Sequence, residues 1–270
     1  GLFDADLIRR DDATGTWLTL RARNLGLATR ELRGEYLRQG NFGVSLEYNQ
    51  IPRDDPFSYN TRLQGAGSTT QTVTTNPSPG PLQTLQLGTE RSQLNLGFVK
   101  HLSPQWTFNI DFRHEDKTGT RAWGRGSQAE FAIEPIDSTT RQIDARLSYT
   151  TRTFQVSGGY NGSWYGNRNG MVALTNAGLP VSAANTTYLS LPLDNQAHQL
   201  FVNAGYTFTP TTRATFKASH TRATQNESLP TQDVAGLSFA GAPSRLNGRI
   251  DTTLLQLGLS SRPIRDLSLT

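Results

Sequence analysis

A chain of 270 residues that is only 35% hydrophobic, with a mean hydropathy of −0.51, holds less apolar material than a soluble domain of its length normally buries. Its 26 basic residues are scattered among 22 acidic ones, so the formal charge of +4 forms no basic stripe and no nucleic-acid partner is expected. The lack of cysteine excludes a disulfide framework, a Cys-ligated zinc site and a CxxCH haem attachment.

No stretch approaches the roughly 18 consecutive apolar residues of a transmembrane helix. Apolar and polar residues alternate instead, which on a strand gives one greasy face and one wet one. In chain order, weaker copies at 16–24 and 29–38 come first, the second carrying Arg33 and Glu35. "NFGVSLEYNQ", 41–50, sets Phe42, Val44, Leu46 and Tyr48 against Ser45, Glu47 and Asn49. After a weak copy at 88–100, "QWTFNIDFRHED", 105–116, sets Trp106, Phe108, Ile110 and Phe112 against Thr107, Asn109, Asp111 and Arg113. "RQIDARLSY", 141–149, opposes Ile143, Ala145, Leu147 and Tyr149 to Gln142, Asp144, Arg146 and Ser148. Residues 153–161 oppose Phe154, Val156 and Tyr160 to Gln155, Ser157 and Asn161. "QLFVNAGYTF", 199–208, aligns Leu200, Val202, Ala204, Tyr206 and Phe208 opposite Gln199, Asn203 and Thr207, with Phe201 as an exception. Weaker copies follow at 212–222, which holds Lys217, and at 250–260.

Tight hairpins are predicted at Gly40-Asn41, Leu102-Ser103-Pro104, Thr151-Arg152 and Pro210-Thr211. Between them lie polar, Ser/Thr/Gly/Pro-rich segments at 52–86, 117–138, 167–195 and 226–245, read as long extracellular loops. Short turns at one end, long loops at the other and strands of about ten residues are the pattern of an outer-membrane barrel. The predicted fold is all-β: a transmembrane antiparallel up-and-down β-barrel, with residues 1–270 forming one partial barrel domain. A soluble β-sandwich alternates in the same way, but its central strands are usually fully apolar.

On this reading Phe42, Val44, Leu46, Trp106, Phe108, Ile110, Phe112, Ile143, Leu147, Leu200, Val202, Tyr206 and Phe208 face lipid. Arg33, Glu35, Glu47, Asn109, Asp111, Arg113, Asp144, Arg146, Asn203 and Lys217 face the lumen. Asp111 and Arg113, like Asp144 and Arg146, set opposite charges two residues apart on one face, where they can pair with neighbouring strands across a wet lumen, and simple solvation there accounts for them better than a specific ligand site. Trp106, Tyr149, Tyr160, Trp164, Tyr206 and Phe208 suit interfacial girdles.

Catalytic chemistry is not in view. His101, His114, His198 and His220 are not at metal-ligand spacing, and no GxSxG, Walker A or GxGxxG motif occurs. His220 and Ser219 supply hydrolase residue types, but sequence neighbours on a strand face opposite ways. Loop Asp, Glu and Asn residues are of the type that binds Ca²⁺, without a spaced acidic motif. The chain reads as neither an enzyme nor a haem carrier.

Three stretches carry a family resemblance. "RARNLGLATRELRGEYLRQGNFGVSLEYNQIPR" (21–53) resembles a recurring segment of the MtrB/PioB family of outer-membrane proteins. "LPLDNQAHQLFVNAGYTFTPTTRATFKASHTRATQNESLP" (191–230) is similar to a later hairpin of that family, and "GRIDTTLLQLGLSSRPIRDLSLT" (248–270) also fits. The resemblance implies a Gram-negative outer-membrane porin that sheathes a periplasmic decahaem or other multihaem c-type cytochrome, the partner carrying the haem. Electrons then cross the membrane through the lumen, toward or from an extracellular cytochrome or substrate. The reading beside it is a general or substrate-specific diffusion porin. The family builds roughly twice as many strands as the eleven and a truncated one expected here, so the chain is expected to be a piece of about half a larger barrel, with Gly1 and Thr270 internal.

Overall fold

The computed structural model describes residues 3–74, 80–123, 132–179, 186–229, 241, 243–264 and 267–269. Its strands are β1 (Ala5–Asp11), β2 (Thr16–Arg23), β3 (Glu31–Arg38), β4 (Phe42–Thr61), β5 (Thr70–Val73), β6 (Gln83–His101), β7 (Trp106–Trp123) and β8 (Ala132–Thr150). They continue as β9 (Phe154–Asn167), β10 (Met171–Asn176), β11 (Thr186–Ser190), β12 (Asn195–Thr209), β13 (Thr212–Gln225), β14 (Gly248–Ile264) and β15 (Leu267–Leu269). Twelve strands form one sheet in the order β1-β2-β3-β4-β6-β7-β8-β9-β12-β13-β14-β15. Each pairs antiparallel with the next one along the sheet, which is the up-and-down wall expected from the alternation.

The short turns all gather at one rim. Gly15 and Gly40 take positive φ there, 63° and 69°, a conformation that a Cβ would penalise. The turns are then stitched in series by backbone bonds. The N–H of Gln39 donates to the Gly15 carbonyl, His101 to Asn41, Thr150 to Gln105, Thr207 to Thr153 and Arg262 to Thr211, at 2.8–3.0 Å. Each hairpin end therefore satisfies its neighbour's spare carbonyl, and the rim is continuous from β1 to β14.

At the opposite rim the expected loops at 52–86, 117–138 and 167–195 are corrected in part. β4 runs on to Thr61, β6 starts at Gln83, β7 reaches Trp123 and β8 starts at Ala132, while β10 and β11 lie inside the third segment. Of the fourth, 226–229, 241 and 243–245 are described, with a bridge between Ser228 and Arg245. The tallest strands hold 18 to 20 residues, roughly 60 Å at 3.3 Å each, against 8 in β2 and β3. These extensions do not keep the alternation, as "RDD" at 53–55 shows, which is why they imitate loops. β4 bulges there between Asp54 and Ser58, around Pro56, which has no N–H for the ladder.

A second sheet, β11-β10-β5, sits at this far rim. Leu63, Val73, Leu87 and Ile133 form one buried cluster, and Ala132, Val172, Leu174 and Leu191 another. Gln71 is fully buried; it accepts from the Ile133 N–H at 3.0 Å and donates back to the Ile133 carbonyl. All buried apolar residues among those described belong to this protruding region. The wall below has no core of its own. Large side chains on it stay uncovered, Leu200 at 64% and Leu255 at 68% exposure.

Candidate functional site: the polar face of the wall

Residues paired directly across an antiparallel ladder share a face. Following the registers, Val44 pairs with Phe98, Phe98 with Ile110, Ile110 with Ala145, Ala145 with Tyr160 and Tyr160 with Leu200. The same parity collects Phe42, Leu46, Trp106, Phe108, Phe112, Ile143, Leu147, Val202, Tyr206 and Phe208. Every residue expected to face lipid thus lies on one face.

The opposite face collects every residue expected to line the lumen. One row reads Arg33, Glu47, Asn95, Arg113, Gln142 and Ser163. The next reads Glu35, Ser45, Gly97, Asp111, Asp144, Asn161, Gln199 and Thr221. Asn109, Arg146, Gly159, Phe201 and Ser219 follow, then Ser148, Ser157, Asn203 and Lys217.

The charge pairing differs from the sequence expectation. Arg113 does not bind Asp111 or Asp144: its guanidinium donates to Glu115 at 2.8 Å and to Gln93 at 3.0 Å, and Arg91 reaches Glu115 at 3.4 Å. Arg33 donates twice to Glu35, at 2.6 and 3.0 Å. Arg146 lies over the Phe201 ring, 5.6 Å from its centroid, a cation–π contact. Phe201, the exception to alternation, is accommodated because Gly159 opposes it. A Cβ on Gly159 would stand 2.8 Å from Phe201 Cζ and 2.2 Å from the Ala145 carbonyl oxygen. Glu115, Gln93 and Arg91 escaped the sequence reading, although Glu115 has the same parity as Asp111 and Arg113 in "NIDFRHED".

Amides fill the spaces between the charges. Gln93 donates to Asn95 at 2.9 Å, the Asn161 and Gln199 amides meet at 2.9 Å, and Gln199 donates to Thr221 at 2.8 Å. The resulting surface carries both signs of charge and many free donors and acceptors. It can hold water or a polar protein surface; it has no grouping of three or more metal-binding side chains among the described residues. Ser219 lies on this face and His220 on the other, where His220 Nδ1 bonds the Thr253 hydroxyl at 2.9 Å.

On the apolar face an aromatic ribbon follows the short-turn rim. Trp106 meets Tyr149 at 4.8 Å, Tyr149 meets Phe154 at 6.3 Å, Phe154 meets Tyr206 at 6.4 Å and Tyr206 meets Phe208 at 4.8 Å between ring centroids. Tyr160 and Trp164 instead join His198 higher up the wall, toward the long connections.

The family model described as "Putative outer membrane beta-barrel porin, MtrB/PioB" matches residues 1–270. The outer membrane protein MtrB of Shewanella baltica is 26% identical over the whole chain, which spans 40% of that relative's length. Among solved structures, the outer membrane protein OmpT of Vibrio cholerae aligns with 95% of this chain and 62% of its own, at 8% identity and a TM-score of 0.44. The outer membrane protease OmpT of Escherichia coli aligns with 90% of this chain and 86% of its own, at 11% identity and a TM-score of 0.25.

Proposed function

Because the chain belongs to the MtrB/PioB family of outer-membrane β-barrel porins, we propose that its polar face is part of a sheath that houses a periplasmic multihaem c-type cytochrome. The observation that carries this reading is the mixed-sign, amide-rich wall running from Arg33 and Glu35 on β3 to Lys217 on β13. A soluble protein surface is held against such a wall by many weak polar contacts and bridging waters. A greasy wall offers no such contacts, and a wall of one sign would favour free ions.

The chain's own residues conduct nothing. Arg113, Glu115, Gln93 and Asn95 are already tied to one another, so they present a fixed pattern to whatever fills the lumen. The apolar face keeps lipid outside. The haem chemistry is the partner's; the sheath excludes lipid from it and fixes its position, on which electron tunnelling depends steeply.

Conductance tests the proposal. The full-length protein, purified with its partner from outer membranes in mild detergent, is expected to leave a planar bilayer electrically silent, and to open channels once the partner is stripped. Channels of full conductance in the untreated preparation would instead make it a diffusion porin whose polar face lines water.

A further inference from the structure

The apolar face changes character toward the long-connection rim. There Arg141 on β8 pairs in register with His114 on one side and Trp164 on the other, Trp164 with Gln196, and Gln196 with Thr224. Arg141, Trp164, Gln196 and Thr224 line one polar cleft, together with Asp194 and Glu227. Arg141 has no ion pair among the described residues, whereas Asp194 already accepts the Asn167 N–H at 2.7 Å. A free guanidinium is a phosphate ligand. The indole is a flat platform for a sugar ring, and the carboxylates accept bonds from hydroxyls.

Below the cleft the same face becomes a trough. Leu147, Gly158, Val202, Ala218 and Leu255 pair in one row across five strands and line a common apolar depression. The small side chains at Gly158 and Ala218 leave its floor low. Leu147 is six residues from Arg141 along β8, about 20 Å of strand and about 14 Å of depth at a 45° tilt. Between the two levels His198 bonds the Tyr160 hydroxyl at 2.6 Å, as polar groups do at a membrane interface.

We infer that this outward face holds a phosphorylated glycolipid of the outer leaflet, its phosphate on Arg141, a sugar against Trp164 and an acyl chain in the trough. The inference rests on the assignment of the apolar face to lipid. It fits the rim chosen: long connections mark the extracellular side of outer-membrane barrels, where such lipids reside. Head chemistry and tail chemistry stand in the right vertical order on one face.

The test is binding of bisphosphorylated lipid A to the delipidated full-length protein in detergent, read by native mass spectrometry. One lipid A is expected per barrel at this site, with Arg141→Gln weakening it at least tenfold. Gly158→Leu is expected to do the same from the tail. A Cβ at Gly158 meets nothing closer than the Phe201 carbonyl oxygen at 3.4 Å, so the wall admits a side chain there that projects into the trough. Gly158→Leu carries the test if Arg141→Gln does not assemble. Lys217→Gln, on the opposite face, should bind as wild type. Equal binding by both variants and wild type would overturn the site, as would equal binding of dephosphorylated lipid A or phosphatidylglycerol, or displacement by millimolar inorganic phosphate. Loss of binding in Lys217→Gln alone would overturn the face assignment itself.

Discussion

Asp111 and Asp144 stand directly opposite each other on β7 and β8, side by side on the polar face. Neither has an ion-pair partner among the described residues, since the nearby Arg113 is engaged by Glu115. Like charges opposed on a ladder are destabilising, by roughly 0.2–1 kcal/mol. Asp111→Asn is therefore expected to raise resistance to urea in detergent by about that amount, while lowering retention of a partner held in the lumen. A destabilised variant would mean that the carboxylate makes a structural bond.

Trp106 and Tyr149 share the short-turn girdle as a ring pair with centroids 4.8 Å apart. Such pairs contribute about 0.5–1.5 kcal/mol beyond the area they bury. A double-mutant cycle of Trp106→Ala and Tyr149→Ala, followed by unfolding in detergent, is expected to return a coupling energy in that range. Strict additivity would show that lipid or detergent replaces the contact in full.

Gln71 is the buried polar link between the small sheet and β8, bonded to both backbone groups of Ile133. Gln71→Leu leaves those two groups unsatisfied, at a cost of about 1–3 kcal/mol each. The protruding region should then open first, seen as faster proteolysis near 61–74 while the β-sheet circular dichroism of the wall persists. Unchanged cleavage would show that the region holds by its apolar clusters alone.

On the protruding part of β4, the Tyr59 hydroxyl donates to Asp55 at 2.7 Å. This bond, with burial second, raises the phenol above its ordinary value of 10.0. A raised folded value means that the contact stabilises the hairpin at neutral pH and is lost as pH climbs through it. Ultraviolet titration should lose a late-ionising component when Asp55→Asn returns Tyr59 toward the ordinary range. A titration indifferent to that substitution would remove Asp55 as the cause.

The faces of the wall were legible because a period of two fixes which residues share a side, and pairing kept that parity from Val44 to Leu200. The protruding strands were not legible. Stretches such as 52–61 do not alternate, and their polar residues imitate loops, while 132–138 breaks the period because its adjacent residues Ala132 and Ile133 are both buried, in two different clusters at the small sheet. β1, "ADLIRRD", sets Leu7 and Ile8 side by side rather than alternating, so no period-two pattern marks it. The partners within the small sheet are far apart in sequence: the hydroxyls of Thr72 and Thr175 meet at 2.8 Å across 103 residues. The charge partners were not legible, because Arg113 reaches along its own strand to Glu115 rather than to a neighbouring aspartate. Trp164 was legible as an aromatic girdle residue, but its contact with His198 was not, because only the register brings the two together.

The most direct test of the sheath is the visible spectrum and haem stain of the full-length native protein purified from outer membranes in mild detergent. The account predicts a stoichiometric c-type haem signal that separates as its own chain on a denaturing gel, and that is lost when Asp111 and Arg113 are both replaced by Leu. A colourless preparation that forms open ion channels would contradict it.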